Sequence, residues 1–320
     1  MLIRIAIAAL LGPIGAIPVV ADTPAGTEIE ASGPLASLHG TLIDAGKGTP
    51  AVLIVPGSGP TDRNGNNPYG VKASTYRLLA DALAARGITT VRIDKRGLFG
   101  SKLAVADANK VTISDYTADI RAWVVATRHA TGAPCVWLLG HSEGGLVVLA
   151  TPNAPDICGR ILVSAAGRPF GMLIKAQIHA NPANAVIFAQ ADAALATLES
   201  GNHVDTSTMH PGLLGLFAPA VQDYLIDLMR YRPADLAAAS KGRLLIVQGE
   251  NDIQIGVDDA KRLAAARPDA TLVLLPGVNH VLKKVGDVDR AGNVASYANP
   301  DLPIDTGVVD AVAGFVLKRR

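Results

Sequence analysis

Net charge is almost absent from this sequence: 29 Lys and Arg stand against 28 Asp and Glu, leaving a formal charge of +1. There is no basic stripe and no acidic tail, which argues against nucleic acid or any other partner held by charge. Aromatic residues make up only 4% of the chain, too few for a surface that stacks bases or sugars. Cysteine is rarer still, with only Cys135 and Cys158, and no Cys/His spacing fits a metal site. No metal and no other cofactor is therefore expected. Repeats and low-complexity tracts are also missing. What the 320 residues do contain is apolar material, 49% of the total, enough for a sizeable buried core.

The N-terminus suggests where the protein goes. Arg4 precedes the apolar stretch "IAIAALLGPIGAIPVVA", which ends at Ala21 before polar Asp22. That arrangement fits a secretory signal over residues 1–21, cleaved after Ala21. A membrane anchor is the competing reading. The stretch is short for a span of roughly 20 residues, and Pro13, Gly15 and Pro18 interrupt it. The expected mature protein is periplasmic or secreted, with no stable membrane insertion after cleavage. An oxidising compartment would favour a bond between Cys135 and Cys158. Each cysteine opens an apolar run, and the starts of parallel neighbouring strands lie about 5 Å apart. Two unrelated buried thiols remain the alternative.

Along the chain, "TEIEASGPLASLHGTLIDAG" alternates polar and apolar residues and reads as an antiparallel hairpin. "AVLIVPG" is a continuous β-branched run, as expected of a strand covered on both faces. "STYRLLADALAARG" has helical spacing closed by Gly87, "ITTVRID" is a strand, and a helix starting near Ser114 as its cap runs to Gly132. Strand "CVWLLG", a helix from Glu143 and strand "RILVSAAG" follow. Such alternation means parallel strands with right-handed crossovers. It stops from Arg168 to about Ser240, where the chain is helical in character, and resumes with "RLLIVQG", "VDDAKRLAAARP", "ATLVLLPG" and a last helix around "TGVVDAVAGFVLKRR". The fold expected is α/β, a mostly parallel, doubly wound sheet of about eight strands. Its core runs over residues 22–166 and 241–320, with a helical cap, 167–240, inserted after the sixth strand.

Chemistry concentrates at "WLLGHSEGGLVVLA". Gly140, Ser142 and Gly144 form Gly-x-Ser-x-Gly between a strand and a helix, the nucleophile-elbow pattern. The glycines permit a sharp turn, and the serine hydroxyl then projects at the carboxyl end of the sheet, where open α/β sheets place ligands. A serine needs a base, and the base an orienting acid, in the order Ser, acid, His. His179, His203 and His210 lie in the helical insertion, whereas His280 follows a strand in "PGVNHVLKK". Asp252, just past "LLIVQG", is preferred as the acid over Glu250, Asp258 and Asp259, the last two falling in the first turn of the next helix. Oxyanion donors are expected from the backbone N–H groups of Glu143 and of Ser58, in the loop "PGSGPTDRNGN". That loop is no phosphate cradle, since no Gly-Lys-Ser/Thr follows.

Taken together, "VPGSGPTDRNGN", "IDKRGLFGSK", "GHSEGG", "QGENDIQI" and "GVNHVLK" resemble the α/β-hydrolase superfamily, and more narrowly its bacterial serine aminopeptidase-like and lysophospholipase-like members. The resemblance implies that Pro56-Gly57 precedes the oxyanion residue Ser58, that Asp94, Gly97 and Ser101 form a structural turn, and that the insertion is a lid. Many members carry His where Pro56 stands. The expected activity is carboxylic ester hydrolysis on short to medium acyl chains, with a small-molecule ester as the partner. Peptidase, amidase, thioesterase or acyltransferase chemistry on the same triad is the alternative. A peptidase would need an acid for the substrate's amino terminus, for which Glu143, Asp192 and Glu199 are the candidates.

Overall fold

The computed structural model describes residues 26–318, so the expected signal segment, residues 1–21, lies outside the described residues. One eight-stranded sheet organises the chain, in the order β1-β2-β4-β3-β5-β6-β7-β8. Its strands are β1 Thr27–Ala31, β2 Leu38–Ile43, β3 Ala51–Val55, β4 Thr89–Ile93, β5 Val136–His141, β6 Ile157–Val163, β7 Arg243–Gly249 and β8 Thr271–Leu275. The first hairpin is antiparallel, β2 pairs antiparallel with β4, and all other neighbours are parallel.

The apolar run of β3 splits by parity, as a strand covered on both faces must. Leu53 and Val55 point into a core with Trp123, Val147 and Leu263. These come from helices α2 (Ile113–Thr131), α3 (Glu143–Ala150) and α9 (Val257–Ala266). Val52 and Ile54 point the other way, onto Leu79, Leu83, Val308 and Val312 of α1 (Thr75–Ala84) and α11 (Thr306–Leu317). Between β6 and β7 the chain forms α4 (Phe170–His179), α5 (Phe188–Glu199), α6 (Pro211–Leu214), α7 (Pro219–Met229) and α8 (Pro233–Ala239). These helices bury an apolar cluster of their own, including Ile178, Leu198, Phe217 and Leu225. Short helix α10 (Arg290–Ala295) lies between β8 and α11.

One boundary differs from expectation. Helix α2 is capped by Thr112, not Ser114: Thr112 accepts from the Asp115 N–H, and Asp115 accepts in return from the Thr112 N–H. That reciprocal box satisfies two free backbone donors together, which a cap at Ser114 could not do with Asp115 already inside the helix. The turn after β4 forms as the resemblance implies: Ser101 Oγ donates to the Asp94 carbonyl at 3.0 Å, and Gly97 takes φ +80°.

Cys135 and Cys158 are joined in a disulfide, their Cα atoms 5.2 Å apart. They sit at the starting ends of β5 and β6, where the register shifts around Cys158. The bond closes a loop of 23 residues, so replacing both cysteines by alanine should cost about 3 kcal/mol by loop-closure entropy. Thermal unfolding of the double variant should fall by several degrees; an unchanged midpoint would show that the loop is already fixed by the sheet.

Candidate active site

The strand-to-helix turn at Ser142 is tight enough to dictate its own sequence. Ser142 has φ +54° and ψ −122°, a region that L-residues rarely adopt and that costs of order 1–3 kcal/mol. A Cβ on Gly140 would stand 2.2 Å from the Gly144 carbonyl oxygen, and one on Gly144 2.3 Å from that of Val55. Both positions are therefore restricted to glycine by the backbone packed against them. The turn leaves the Ser142 hydroxyl at a cavity wall shared with His280, and the hydroxyl makes no hydrogen bond among the described residues. Such contacts are often loose before substrate binds.

Loops after three different strands bring the expected residues together. His280, buried, follows β8, and Asp252, with a fully buried side chain, follows β7; His280 Nδ1 lies 2.7 Å from Asp252 Oδ2. Asp252 Oδ1 accepts from the N–H groups of Gln254 and Ile255 at 2.8 and 2.9 Å. Burial alone would raise the Asp252 pKa, but the adjacent His280 and these N–H donors hold it below the ordinary carboxylate value. An ionised carboxylate can only accept, so His280 Nδ1 carries the proton of this bond and Nε2 is the ring nitrogen that Asp252 does not hold. The rival acids are engaged elsewhere: Asp259 is buried against Arg168, and Glu250 and Asp258 are exposed.

The Gly57–Ser58 peptide comes up beside the serine. A Cβ on Gly57 would lie 3.2 Å from Ser142 Cβ. The Ser58 and Glu143 N–H groups have no acceptor among the described residues, as oxyanion donors require. Two buried side chains that the sequence did not single out hold this peptide. Tyr76 Oη accepts from the Gly57 N–H at 2.9 Å, and Lys95 Nζ donates to the Gly57 carbonyl at 2.7 Å. In a trans peptide the N–H points opposite to the C=O, so Lys95 on the Gly57 oxygen turns the Ser58 N–H away from itself. Lys95 also faces the Glu143 carboxylate at 3.5 Å.

A second chain of hydrogen bonds has only one possible direction. His141 Nε2 lies 2.8 Å from the His280 carbonyl, which can only accept, so Nε2 carries the proton. His141 Nδ1 then accepts from the Tyr76 hydroxyl at 3.0 Å. The sequence Gly57 N–H to Tyr76 O–H to His141 to the His280 carbonyl ties together the loop after β3, the turn at Ser142 and the loop after β8. Full burial, reinforced by neighbouring His280, lowers the His141 pKa to about 3, so His141 stays neutral. Its place inside "GHSEGG" was the only sequence signal; Tyr76 read as one more apolar member of α1.

Two cavities meet at the serine. The larger, about 570 Å³, has Ser58, Ser142 and His280 in its wall, with amide and arginine side chains beyond. The smaller, about 80 Å³, is bounded by Ser58, Ser142 and Glu143 and closed by Leu146, Phe170, Leu173, Ile174 and Leu228. The three acids considered for a peptidase do not face the larger cavity. Glu143 meets Lys95, Asp192 pairs with Lys175 and His179, and Glu199 is exposed outside it.

The family comparison agrees with this architecture. Residues 52–282, more than half of the chain, match the alpha/beta hydrolase family, and the chain belongs to that family. Solved structures share the fold at low identity. Est1E from Butyrivibrio proteoclasticus superposes with a TM-score of 0.55 at 15% identity, covering 91% of this chain and 97% of that one. An esterase from Pyrococcus furiosus gives 0.54 at 16%, covering 80% and 83%. The esterase RhEst1 from Rhodococcus sp. ECU1013 gives 0.51 at 18%, covering 90% and 98%. No curated protein matches the sequence.

Two outcomes follow from the buried network. Lys95→Met should lower kcat about 10- to 100-fold with KM within about twofold, because a misaimed oxyanion donor weakens the transition state alone. A change confined to KM would contradict that role. For His141, whose folded pKa of about 3 lies below the unfolded value of 6.5, the unfolded state binds more protons between the two. Stability should therefore drop as pH falls through that window, by up to about 1.4 kcal/mol per pH unit. Urea unfolding across the acid range checks this, and His141→Asn should flatten the slope.

Proposed function

We propose that this chain is a serine hydrolase of carboxylic esters, a carboxylesterase acting on short to medium acyl chains. The observation that carries the reading is the buried His280–Asp252 pair opening on the same cavity as Ser142, at a turn whose glycines the packing requires. Ser142 Oγ attacks the acyl carbon while His280 Nε2 takes its proton, and the carbonyl oxygen becomes an oxyanion held by the Ser58 and Glu143 N–H groups. The tetrahedral intermediate collapses, the ester C–O bond breaks, and His280 returns the proton to the leaving alcohol. Water, deprotonated by His280, attacks the acyl-enzyme; its collapse frees the acid and restores the Ser142 hydroxyl. Asp252 orients the imidazole throughout.

The small apolar pouch supports the chain-length assignment. At roughly 10–15 Å³ for each water-sized position, 80 Å³ accepts about five to eight heavy atoms. The one carboxylate among the described residues of the pouch wall, that of Glu143, already faces the Lys95 ammonium at 3.5 Å, which favours esters over aminoacyl substrates. Thioesters and acyl transfer use the same groups and differ in leaving group and acceptor. The protein works in the periplasm or outside the cell, a reading supported by the signal-like start and by the Cys135–Cys158 bond. The helices between β6 and β7 act as its lid.

Nitrophenyl esters of rising chain length test the reading. Activity should peak near butyrate to hexanoate, fall at least about tenfold by dodecanoate, and disappear in Ser142→Ala to below about a thousandth of wild type. An aminoacyl anilide should be left intact. Turnover surviving in Ser142→Ala would remove the proposed nucleophile, and cleavage of the anilide alone would make the protein a peptidase.

A further inference from the structure

Helix α7, in the insertion, meets the core with one face. Tyr224, Asp227 and Leu228 stand three and four positions apart, so they share a side of the helix. Asp227 Oδ2 accepts from the Ile113 N–H, in the first turn of α2, at 2.8 Å. Leu228 is in the wall of the smaller cavity, together with Glu143. Tyr224 meets the Tyr116 ring edge-on, with centroids 6.4 Å apart, and the Lys95 ammonium stands 5.3 Å over that Tyr116 ring. Leu225 and Met229, one residue round, belong instead to the apolar cluster inside the insertion. The core-facing side of α7 thus brings one hydroxyl, that of Tyr224, to the place where Lys95 and Glu143 meet.

That hydroxyl and the Glu143 carboxylate are each short of a partner. Tyr224 Oη is buried and makes no hydrogen bond among the described residues. The Glu143 side chain is only 9% exposed, and its one hydrogen bond there is the long contact from Lys95 at 3.5 Å. An ionised carboxylate has room for several donors. Burial, and the Glu143 charge close by, raise the Tyr224 pKa well above its ordinary value, so the hydroxyl keeps its proton to donate. An unspent donor beside an under-served acceptor is the arrangement expected of a contact that tightens when substrate binds. Lys95 is what makes that contact matter. Its ammonium bonds the Gly57 carbonyl at 2.7 Å and faces Glu143 at 3.5 Å, so two acceptors compete for one cation. A carboxylate with no second donor draws the ammonium off the carbonyl, and the Ser58 N–H loses its aim. A hydroxyl on the carboxylate relieves that pull.

Building on the esterase reading, we propose that Tyr224 is a positioning residue: in the substrate complex its hydroxyl donates to the Glu143 carboxylate, which leaves Lys95 on the Gly57 carbonyl and the Ser58 N–H aimed at the oxyanion. The helical insertion then acts on the rate of the chemical step through one hydroxyl, by way of Glu143 and Lys95.

Turnover of nitrophenyl butyrate by the full-length wild type, Tyr224→Phe, Lys95→Met and the double variant tests this, with thermal unfolding of each. Tyr224→Phe keeps the ring and removes a hydroxyl that has no partner in the free protein, so its midpoint should equal or exceed that of wild type. Its kcat should nevertheless fall about 3- to 10-fold, with KM within about twofold. In the Lys95→Met background the same substitution should change kcat by less than about 1.5-fold, because the route to the Ser58 N–H is already cut. A wild-type kcat in Tyr224→Phe, a loss confined to KM, or losses that multiply in the double variant would overturn the proposal. A kcat loss that comes with a lowered midpoint would make the hydroxyl structural and overturn it too. Wild type separates the two levels: if it cleaves the ester and Tyr224→Phe matches it, only this inference falls, and if it leaves the ester intact, the esterase reading falls as well.

Discussion

The site depends on one constraint, the left-handed backbone at Ser142. A residue at φ +54° persists only where its surroundings over-determine it, and here they do so with backbone atoms. The Gly144 carbonyl presses on Gly140, the Val55 carbonyl on Gly144, and Gly57 on Ser142 itself. Because β3 and β5 are parallel neighbours in register, Val55 opposite Gly140, the loop leaving β3 is delivered to the serine by sheet geometry. The elbow and the oxyanion loop are thus two consequences of one strand pairing.

Rigidity around that turn is supplied by buried polar groups that bond to its backbone and to one another. Lys95 and Tyr76 grip the two ends of the Gly57 backbone, and neutral His141 continues the chain to the backbone of His280. Fully satisfied buried networks fix one arrangement, and partly satisfied ones are costly. Removing any member leaves at least one buried group without its partner, so stability and the geometry around Ser142 are coupled here.

Sequence periodicity revealed much of the frame because parallel strands buried on both faces are rich in continuous apolar runs, such as Ala51–Val55 in β3, Val136–Leu139 in β5, Ile161–Val163 in β6 and Leu244–Val247 in β7. Ser142, Asp252 and His280 could be located because each follows such a run at the carboxyl end, a placement that needs order along the chain and no coordinates. The rest depended on distances across the fold. Tyr76 has the spacing of an ordinary core residue of α1, and only its hydroxyl, meeting His141 from 65 positions away, makes it more. Lys95 looked like part of a polar turn, yet it is buried beneath the oxyanion loop. Thr112 outranks Ser114 as a cap because Asp115, three residues on, reaches back to it, whereas three residues after Ser114 stands Thr117, which has no carboxylate to do so.

Covalent labelling tests the central claim most directly. The intact mass of the protein would be measured after treatment with diethyl nitrophenyl phosphate, followed by peptide mapping. The account predicts a single diethylphosphoryl adduct on Ser142, formed rapidly in the wild type and absent in Ser142→Ala. No adduct, or one on another side chain that persists in the variant, would contradict it.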